Sequence, residues 1–341
     1  MKTVLKFTSW ILGIMLLIIA LLLCLFNSSP KPSTWVIKQL FKGNQTIQDS
    51  IGYAEVRDKV TAINNIRYPS VHADNTLDIY FPTGKTHLPV LFWLHGGGFV
   101  GGDNVGLREF ATYLAEKAQI AVILIDYEKS PDLHYPGQVL QTGQAIEFIL
   151  GRQANYPMFN LSAIAFGGDS AGGQIAGQYT LVQTNRDYAK ALDIERQPIK
   201  DSVKCFISYC SPLNLKQMKD VKLESRFMKF FVGTVSWAWL GKKDWKTSKE
   251  LLQASLVDHL TAEFPASFIT DGNTFSFADQ GIMFHNRLKE LSVNSEALFY
   301  EDSSEQVNHE YQFNYQTAQA QDCLEKTVTF LDKYLKAGQE Q

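Results

Sequence analysis

The stretch Gly168-Asp169-Ser170-Ala171-Gly172 constrains this chain more than any other. It directly follows the apolar run Leu161-Ser162-Ala163-Ile164-Ala165-Phe166, and Gly173-Gln174-Ile175-Ala176-Gly177 reads on as a helix. Ser170 is therefore placed on a strand-to-helix turn. Glycines two residues before and two after it allow a sharp turn free of side-chain clashes. They lift the hydroxyl above the sheet edge, next to the positive end of the following helix. A serine nucleophile requires that setting. The five-residue pattern alone is cheap in a Gly-rich chain, where it can also be a plain tight turn.

A second glycine motif weighs against the plain turn. His95-Gly96-Gly97-Gly98-Phe99 follows the strand-like run Leu88-Pro89-Val90-Leu91-Phe92-Trp93-Leu94 and exposes bare backbone amides. In acyl transfer the carbonyl oxygen gains negative charge in the transition state, and each fixed N–H donor aimed at it is worth about 3 kcal/mol. Loops of this HGGG type accompany G-x-S-x-G elbows in lipases and esterases.

Between the two motifs lies Ile120-Ala121-Val122-Ile123-Leu124-Ile125-Asp126-Tyr127, followed by Ser130-Pro131-Asp132-Leu133-His134-Tyr135-Pro136. The order HGGGF, DYEKSPDLHYP, GGDSAGG resembles the hormone-sensitive-lipase-like branch of the α/β-hydrolase carboxylesterases, over about Ile66 to Tyr334. The resemblance implies an α/β-hydrolase fold: a mostly parallel central sheet, helices on both faces and a helical cap. It gives the Tyr-Pro stretch a structural role beneath the active site. His95 and His134 are accordingly expected to be hydrogen-bonded loop histidines, and neither is paired with Cys or His at metal-ligand spacing. By the same resemblance Gly97 and Gly98 supply oxyanion donors. Ala171 joins them because the residue after the nucleophile presents its amide at the helix start.

A serine hydrolase of this fold has the chain order Ser, acid, His. The histidines after Ser170 are His259, His285 and His309. His285 falls in the helical run Gln280–Leu288, and His259 precedes the strand that should carry the acid. His309 remains, across a polar loop from the last apolar strand Ala297–Tyr300 and ahead of the final helix. The family usually has Gly-Phe after this His, whereas the chain has His309-Glu310-Tyr311. The acid is less direct. Aligning Asp279-Gln280-Gly281 with the family's Asp-Glu-Gly puts Phe275 where the acid is expected, so carry-over fails. The physical requirement is a carboxylate just past the strand Ala266–Thr270, able to accept the proton on the histidine's Nδ1. Asp271 fits best. Asp279 is the alternative, though better suited to capping the next helix, and Asn273 would be a neutral orienter.

Apolar segments of five to eight residues alternate with helical patterns at Leu107–Ala118, Gln138–Leu150, Gln280–Leu291 and Leu324–Leu335. That alternation implies parallel strands with crossover helices, and ligands at the strands' carboxyl ends. A net charge of −3 without basic runs argues against a nucleic-acid partner. The four cysteines give no disulfide framework. Cys205 and Cys210 are expected on one strand, facing opposite sides.

The N-terminus is a separate element. No residue from Phe7 to Pro30 is charged, and Trp10 to Phe26 is continuous apolar sequence dominated by Leu and Ile. Its 17 residues meet the lower limit of a ~17–25 residue span and exceed most signal-peptide cores of about 7–15. The reading is an uncleaved single-pass anchor, with a cleaved signal as the alternative. Lysines on both sides make the positive-inside rule weak, and a short N-terminal anchor favours a catalytic domain outside the cytoplasm. The organisation expected is anchor and linker over 1–32, with Asn27 to Ser33 as linker, then a catalytic domain over 33–341. Cap elements fall at about 33–55 and 214–259. The second is rich in aromatics (Phe227, Phe230, Phe231, Trp237, Trp239, Trp245), suited to core packing, an acyl pocket or a face toward the bilayer.

The function expected is a serine carboxylesterase working through an acyl-enzyme on short to medium acyl chains, with no cofactor or metal. Amide or acetyl-group hydrolysis by the same machinery is the second reading. A membrane-tethered, non-catalytic recognition domain is the third, disfavoured because Ser170 and His309 are both present.

Overall fold

Two apolar runs without polar alternation, β3 (Leu88–Leu94) and β4 (Ala121–Ile125), are buried along their whole length, as strands covered on both faces must be. In the computed structural model, which describes residues 2–41, 47–220 and 225–336, they form the middle of an eight-stranded sheet. The other strands are β1 (Val60–Arg67), β2 (Thr76–Pro82), β5 (Phe159–Asp169), β6 (Val203–Tyr209), β7 (Ala266–Thr270) and β8 (Ser295–Leu298), in the order β1-β2-β4-β3-β5-β6-β7-β8. Pairing from β4 to β8 is parallel, while β1 and β2 are antiparallel.

The helices are α1 (Lys2–Ser28), α2 (Lys31–Lys38), α3 (Ser50–Val56), α4 (Arg108–Ala118), α5 (Gly137–Leu150), α6 (Ala171–Thr184), α7 (Arg186–Leu192), α8 (Arg226–Leu240), α9 (Lys249–Gln253), α10 (Ala278–Glu290) and α11 (Ala318–Tyr334). The sheet's period of two divides the core. Val90, Phe92 and Leu94 of β3 pack with α5, α6 and α10 on one face. Leu91 and Trp93 pack with α4 and α11 on the other. The four helical patterns legible in the sequence are thus α4, α5, α10 and α11, each with its apolar stripe on the sheet.

Strand β3 lies between β4 and β5, so the chain turns one way after β3 and the other way before β5. The crevice at this reversal is where an open α/β sheet binds ligands. Both glycine motifs open onto it. Helices α8 and α9, inserted between β6 and β7, cover it together with Leu40 and Phe41, just past α2.

Two expectations change. The linker foreseen from Asn27 to Ser33 shrinks to Ser29 and Pro30, because α2 starts at Lys31. Cys210 does not share a strand with Cys205: β6 ends at Tyr209 and Cys210 turns away at φ 43°. Both thiols are consequently buried in the same cluster. One described helix, Lys6–Ser28, is long and apolar enough to cross a membrane, a test that a signal sequence near the N-terminus also passes.

Candidate active site

Strand β5 delivers Ser170 to the start of α6 at φ 48°, ψ −118°, a left-handed conformation that costs a non-glycine residue about 1–3 kcal/mol. Its neighbours make the turn possible. A Cβ on Gly172 would lie 2.0 Å from the carbonyl oxygen of Leu94, and one on Gly168 would lie 2.5 Å from backbone atoms of Gly172 and Gly173. The Ser170 amide donates to Tyr209 O at 2.8 Å, tying the elbow to β6. The hydroxyl is not on open surface. Ser170 is buried at the base of an apolar cavity of about 470 Å³, walled by Phe231, Val235 and Trp239 of α8 and by Leu215.

His309 arrives from the loop after β8, and its Nε2 stands 3.1 Å from Ser170 Oγ. The ring is held from three directions. Its amide donates to Thr274 O at 2.9 Å, Phe277 packs edge-to-face at 5.6 Å, and Asp271 Oδ1 lies 3.9 Å from Nδ1. That last separation is charge contact, not a hydrogen bond, and Nδ1 has no other partner among the described residues. Both Asp271 oxygens are already engaged, Oδ1 accepting from Gly272 N at 2.7 Å and Oδ2 from Phe277 N at 2.6 Å. Burial pushes the Asp271 carboxyl up to about 7, against these two donors. Burial also pushes the His309 imidazole down to about 4, so it stands neutral, ready to accept a proton.

The other acid candidates are placed elsewhere. Asp279 is exposed in the first turn of α10, and the N-cap position is Phe277. It therefore does not cap the helix as expected. Asn273 does not orient His309: its Nδ2 donates to Tyr300 O and Glu305 O, and its Oδ1 accepts from Val307 N at 2.9 Å. It braces the loop that carries His309. His285 is on α10 against Ser295 Oγ, and His259 faces Leu252 O. His95 and His134 are hydrogen-bonded in loops, the first to Gly96 O and Asp126 and stacked on Tyr127, the second to Ala238 O.

The glycine loop after β3 approaches the elbow. Gly97 has φ 118°, and a Cβ there would meet Gly101 O at 2.3 Å, so only glycine fits. Among the described residues no acceptor is paired with the amides of Gly97, Gly98 or Ala171. Gly98 and Ala171 border the apolar cavity with Ser170. The Gly96 amide is not available, because it donates to Asp169 Oδ2 at 2.6 Å.

Asp169 is the residue that the motif reading passed over. Its Oδ1 accepts from Trp93 Nε1 at 2.9 Å, so one carboxyl ties the elbow to the glycine loop. Burial, with Glu310 nearby, pushes it up to about 8. Glu310 takes φ 61° at the position where the family usually has glycine. The two carboxyls line a second cavity of about 360 Å³ behind Gly96 and Gly97, with Gln48, Glu109 and Asn314. A carboxylate ending a buried strand needs partners, which is the signal that would have found Asp169. Cys210 Sγ lies within 4.8 Å of the Asp271 and His309 ligand atoms. Burial pushes its thiol up, leaving it protonated and a poor metal ligand.

The model of the BD-FAE family matches residues 77–288. The chain belongs to that family. The match takes in the glycine loop, the elbow and Asp271 and ends before His309. An esterase of Gibberella moniliformis is 25% identical over 213 residues, 62% of this chain and 64% of that protein. An acetyl esterase of Salmonella schwarzengrund is 34% identical over 108 residues, 32% of this chain and 33% of that one. The chain thus spans less than two thirds of the length of these relatives. Among solved structures, a tributyrin-phosphonate-inhibited esterase B of Lactobacillus rhamnosis superposes with a TM-score of 0.69 at 19% identity, over 89% of this chain and 95% of that one. A Pyrobaculum calidifontis esterase gives 0.64 at 18%, over 86% and 91%. Together they show the α/β-hydrolase fold that the motifs resemble.

Proposed function

We propose that this BD-FAE family member is a serine carboxylesterase that hydrolyses esters of short to medium acyl chain through an acyl-enzyme. Ser170 Oγ attacks the ester carbonyl carbon as its proton passes to His309 Nε2. Asp271, 3.9 Å from Nδ1, balances the imidazolium charge. The amides of Gly97, Gly98 and Ala171 receive the oxyanion. As the tetrahedral intermediate collapses, the C–O bond to the alcohol breaks and the leaving oxygen takes the proton from Nε2. Water then attacks the acyl-enzyme by the same route and frees Ser170.

One observation carries the reading: Ser170 Oγ stands 3.1 Å from His309 Nε2 at the base of an apolar cavity, beside amides with no acceptor among the described residues. The esterase names of the relatives support it. The apolar walls suit an acyl chain, and α2, α8 and α9 act as the cap over 33–55 and 214–259. Helix Lys6–Ser28 serves as a single-pass anchor for a catalytic domain over 33–341, held on the extracytoplasmic side. The test is turnover of p-nitrophenyl esters of increasing chain length and the matching anilides by the purified chain. Ester hydrolysis that falls by about 10⁶-fold in kcat in Ser170→Ala supports the mechanism; preference for the anilides refutes the esterase assignment.

A further inference from the structure

Helix α1 ends where the cap begins, and the structure shows how the two are joined. Lys243, just past α8, donates to Asn27 O at 2.7 Å at the carboxyl end of α1. Lys31 at the start of α2 pairs with Asp132 of the domain at 2.9 Å. The eight residues of α2 extend about 12 Å from that junction. Its inner face is Ser33, Thr34 and Ile37, and its outer face shows Trp35 (67% exposed) and Val36.

The rim of the apolar cavity is exposed as well. Leu40, Phe227 and Phe275 all border that cavity, and each is still more than half exposed, at 53%, 52% and 72%. Phe230 adds a further exposed ring on α8. Large apolar side chains gathered at a cavity mouth mark an interaction surface. Charge says which kind. Residues 225–250 contain Arg226, Lys229, Lys242, Lys243, Lys246 and Lys249 against Asp244 and Glu250, and residues 31–41 contain Lys31 and Lys38 with no acid. These segments are basic in a chain whose net charge is −3. Arg226, Lys229, Lys242 and Lys249 are exposed, and among the described residues none has a carboxylate in salt-bridge range. Tryptophan with basic residues around an apolar rim, next to the end of a span, matches the headgroup layer of a bilayer whose leaflet on the domain's side carries anionic lipid.

We infer that the outer face of α2 and α8 docks on the anionic surface of the bilayer that α1 crosses, so that the apolar cavity opens toward the lipid and takes amphiphilic esters from it. The inference rests on α1 remaining as an anchor. It deepens the esterase reading by naming the route of the substrate: the acyl chain enters past Leu40, Phe227 and Phe275 while the alcohol stays near the headgroups.

The test uses the full chain in vesicles of phosphatidylcholine and phosphatidylglycerol with brominated acyl chains. Tryptophan quenching is compared between the wild type and Trp35→Phe, and the difference reports Trp35. Quenching of that share by bromolipid, with protection from aqueous iodide, is the expected result. Quenching by iodide alone overturns the docking, and so does protection from both quenchers in a chain that has become dimeric. A chain recovered in the soluble fraction with its N-terminus beyond Ser28 refutes the anchor itself, a separate failure. In kinetics, Lys229→Gln with Lys242→Gln should lower turnover of vesicle-borne p-nitrophenyl decanoate about tenfold, at about fivefold per basic residue near the surface before partial compensation. Turnover of water-soluble p-nitrophenyl acetate should not change. Equal loss on both substrates overturns the inference.

Discussion

Replacing Asp271 by Asn tests the least direct member of the proposed triad, and the structure sets the size of the expected effect. Asp271 Oδ1 is 3.9 Å from His309 Nδ1. At an effective dielectric of ~20, a unit charge pair at that distance is worth about 4 kcal/mol. Loss of the carboxylate's hold on the transient imidazolium should therefore lower kcat on the order of 10³-fold. The measurement belongs at pH 8.5, since the carboxyl is pushed up to about 7 and the ionised form is the one that works. The wild-type kcat/KM should accordingly fall as the pH drops through about 7. That acid limb belongs to Asp271, because His309 is already neutral far below it. In Asp271→Asn the limb should disappear. Stability falls as well: both oxygens accept backbone amides, and the new NH₂ faces one of those donors, at about 1–3 kcal/mol. Calorimetry separates the two effects. Asp279→Asn, on the exposed first turn of α10, should keep wild-type kcat and lose only a few tenths of a kcal/mol of dipole interaction. A folded Asp271→Asn enzyme within threefold of wild-type kcat at pH 8.5 refutes the assignment.

Gly97→Ala should lower kcat by about 10²–10³-fold with little change in KM, because the added Cβ meets Gly101 O at 2.3 Å and must displace the amide; steady-state kinetics on p-nitrophenyl butyrate reads it. Asp169 titrates at about 8 in the fold, above the unfolded ~3.9, so its stabilising contribution is complete below pH 4 and is lost as the pH rises through about 8. The span corresponds to a few kcal/mol, on the order of 5 at most. Thermal melts of the wild type should therefore drop between pH 5 and 9, and Asp169→Asn should flatten that slope while losing one of the bonds to Trp93 or Gly96. The full chain should stay with membranes through a carbonate wash, and a chain lacking residues 1–29 should not, as followed by fractionation.

Much of this fold was legible because its signals are local. Continuous apolar runs marked β3, β4 and β7, periodicity marked α4, α5, α10 and α11, and glycine spacing marked the elbow and the loop after β3. Ser170 and His309 followed from chain order together with the elbow, and the structure brings them together across 139 positions. What stayed hidden depends on contacts distant in sequence. Asp169 looked like one letter of a motif, whereas its clamp on Trp93 and Gly96 spans more than 70 residues. Asn273 looked like a possible orienter because its three backbone partners are not visible from the chain. Asp279 looked like a cap because helix boundaries shift by a residue or two, and Phe277 takes that position. Cys210 looked like strand because nothing in the local composition marks the left-handed turn that ends β6.

Ser170 is the proposed nucleophile of this chain. Its most direct test is covalent capture: the purified protein is treated with a p-nitrophenyl alkylphosphonate and digested, and the adduct is located by mass spectrometry. The expected result is one adduct per chain, on Ser170, with p-nitrophenol released in equal amount, activity lost in proportion to labelling, and no adduct in Ser170→Ala. An adduct on another residue, or ester turnover that persists after Ser170 is fully labelled, would contradict it.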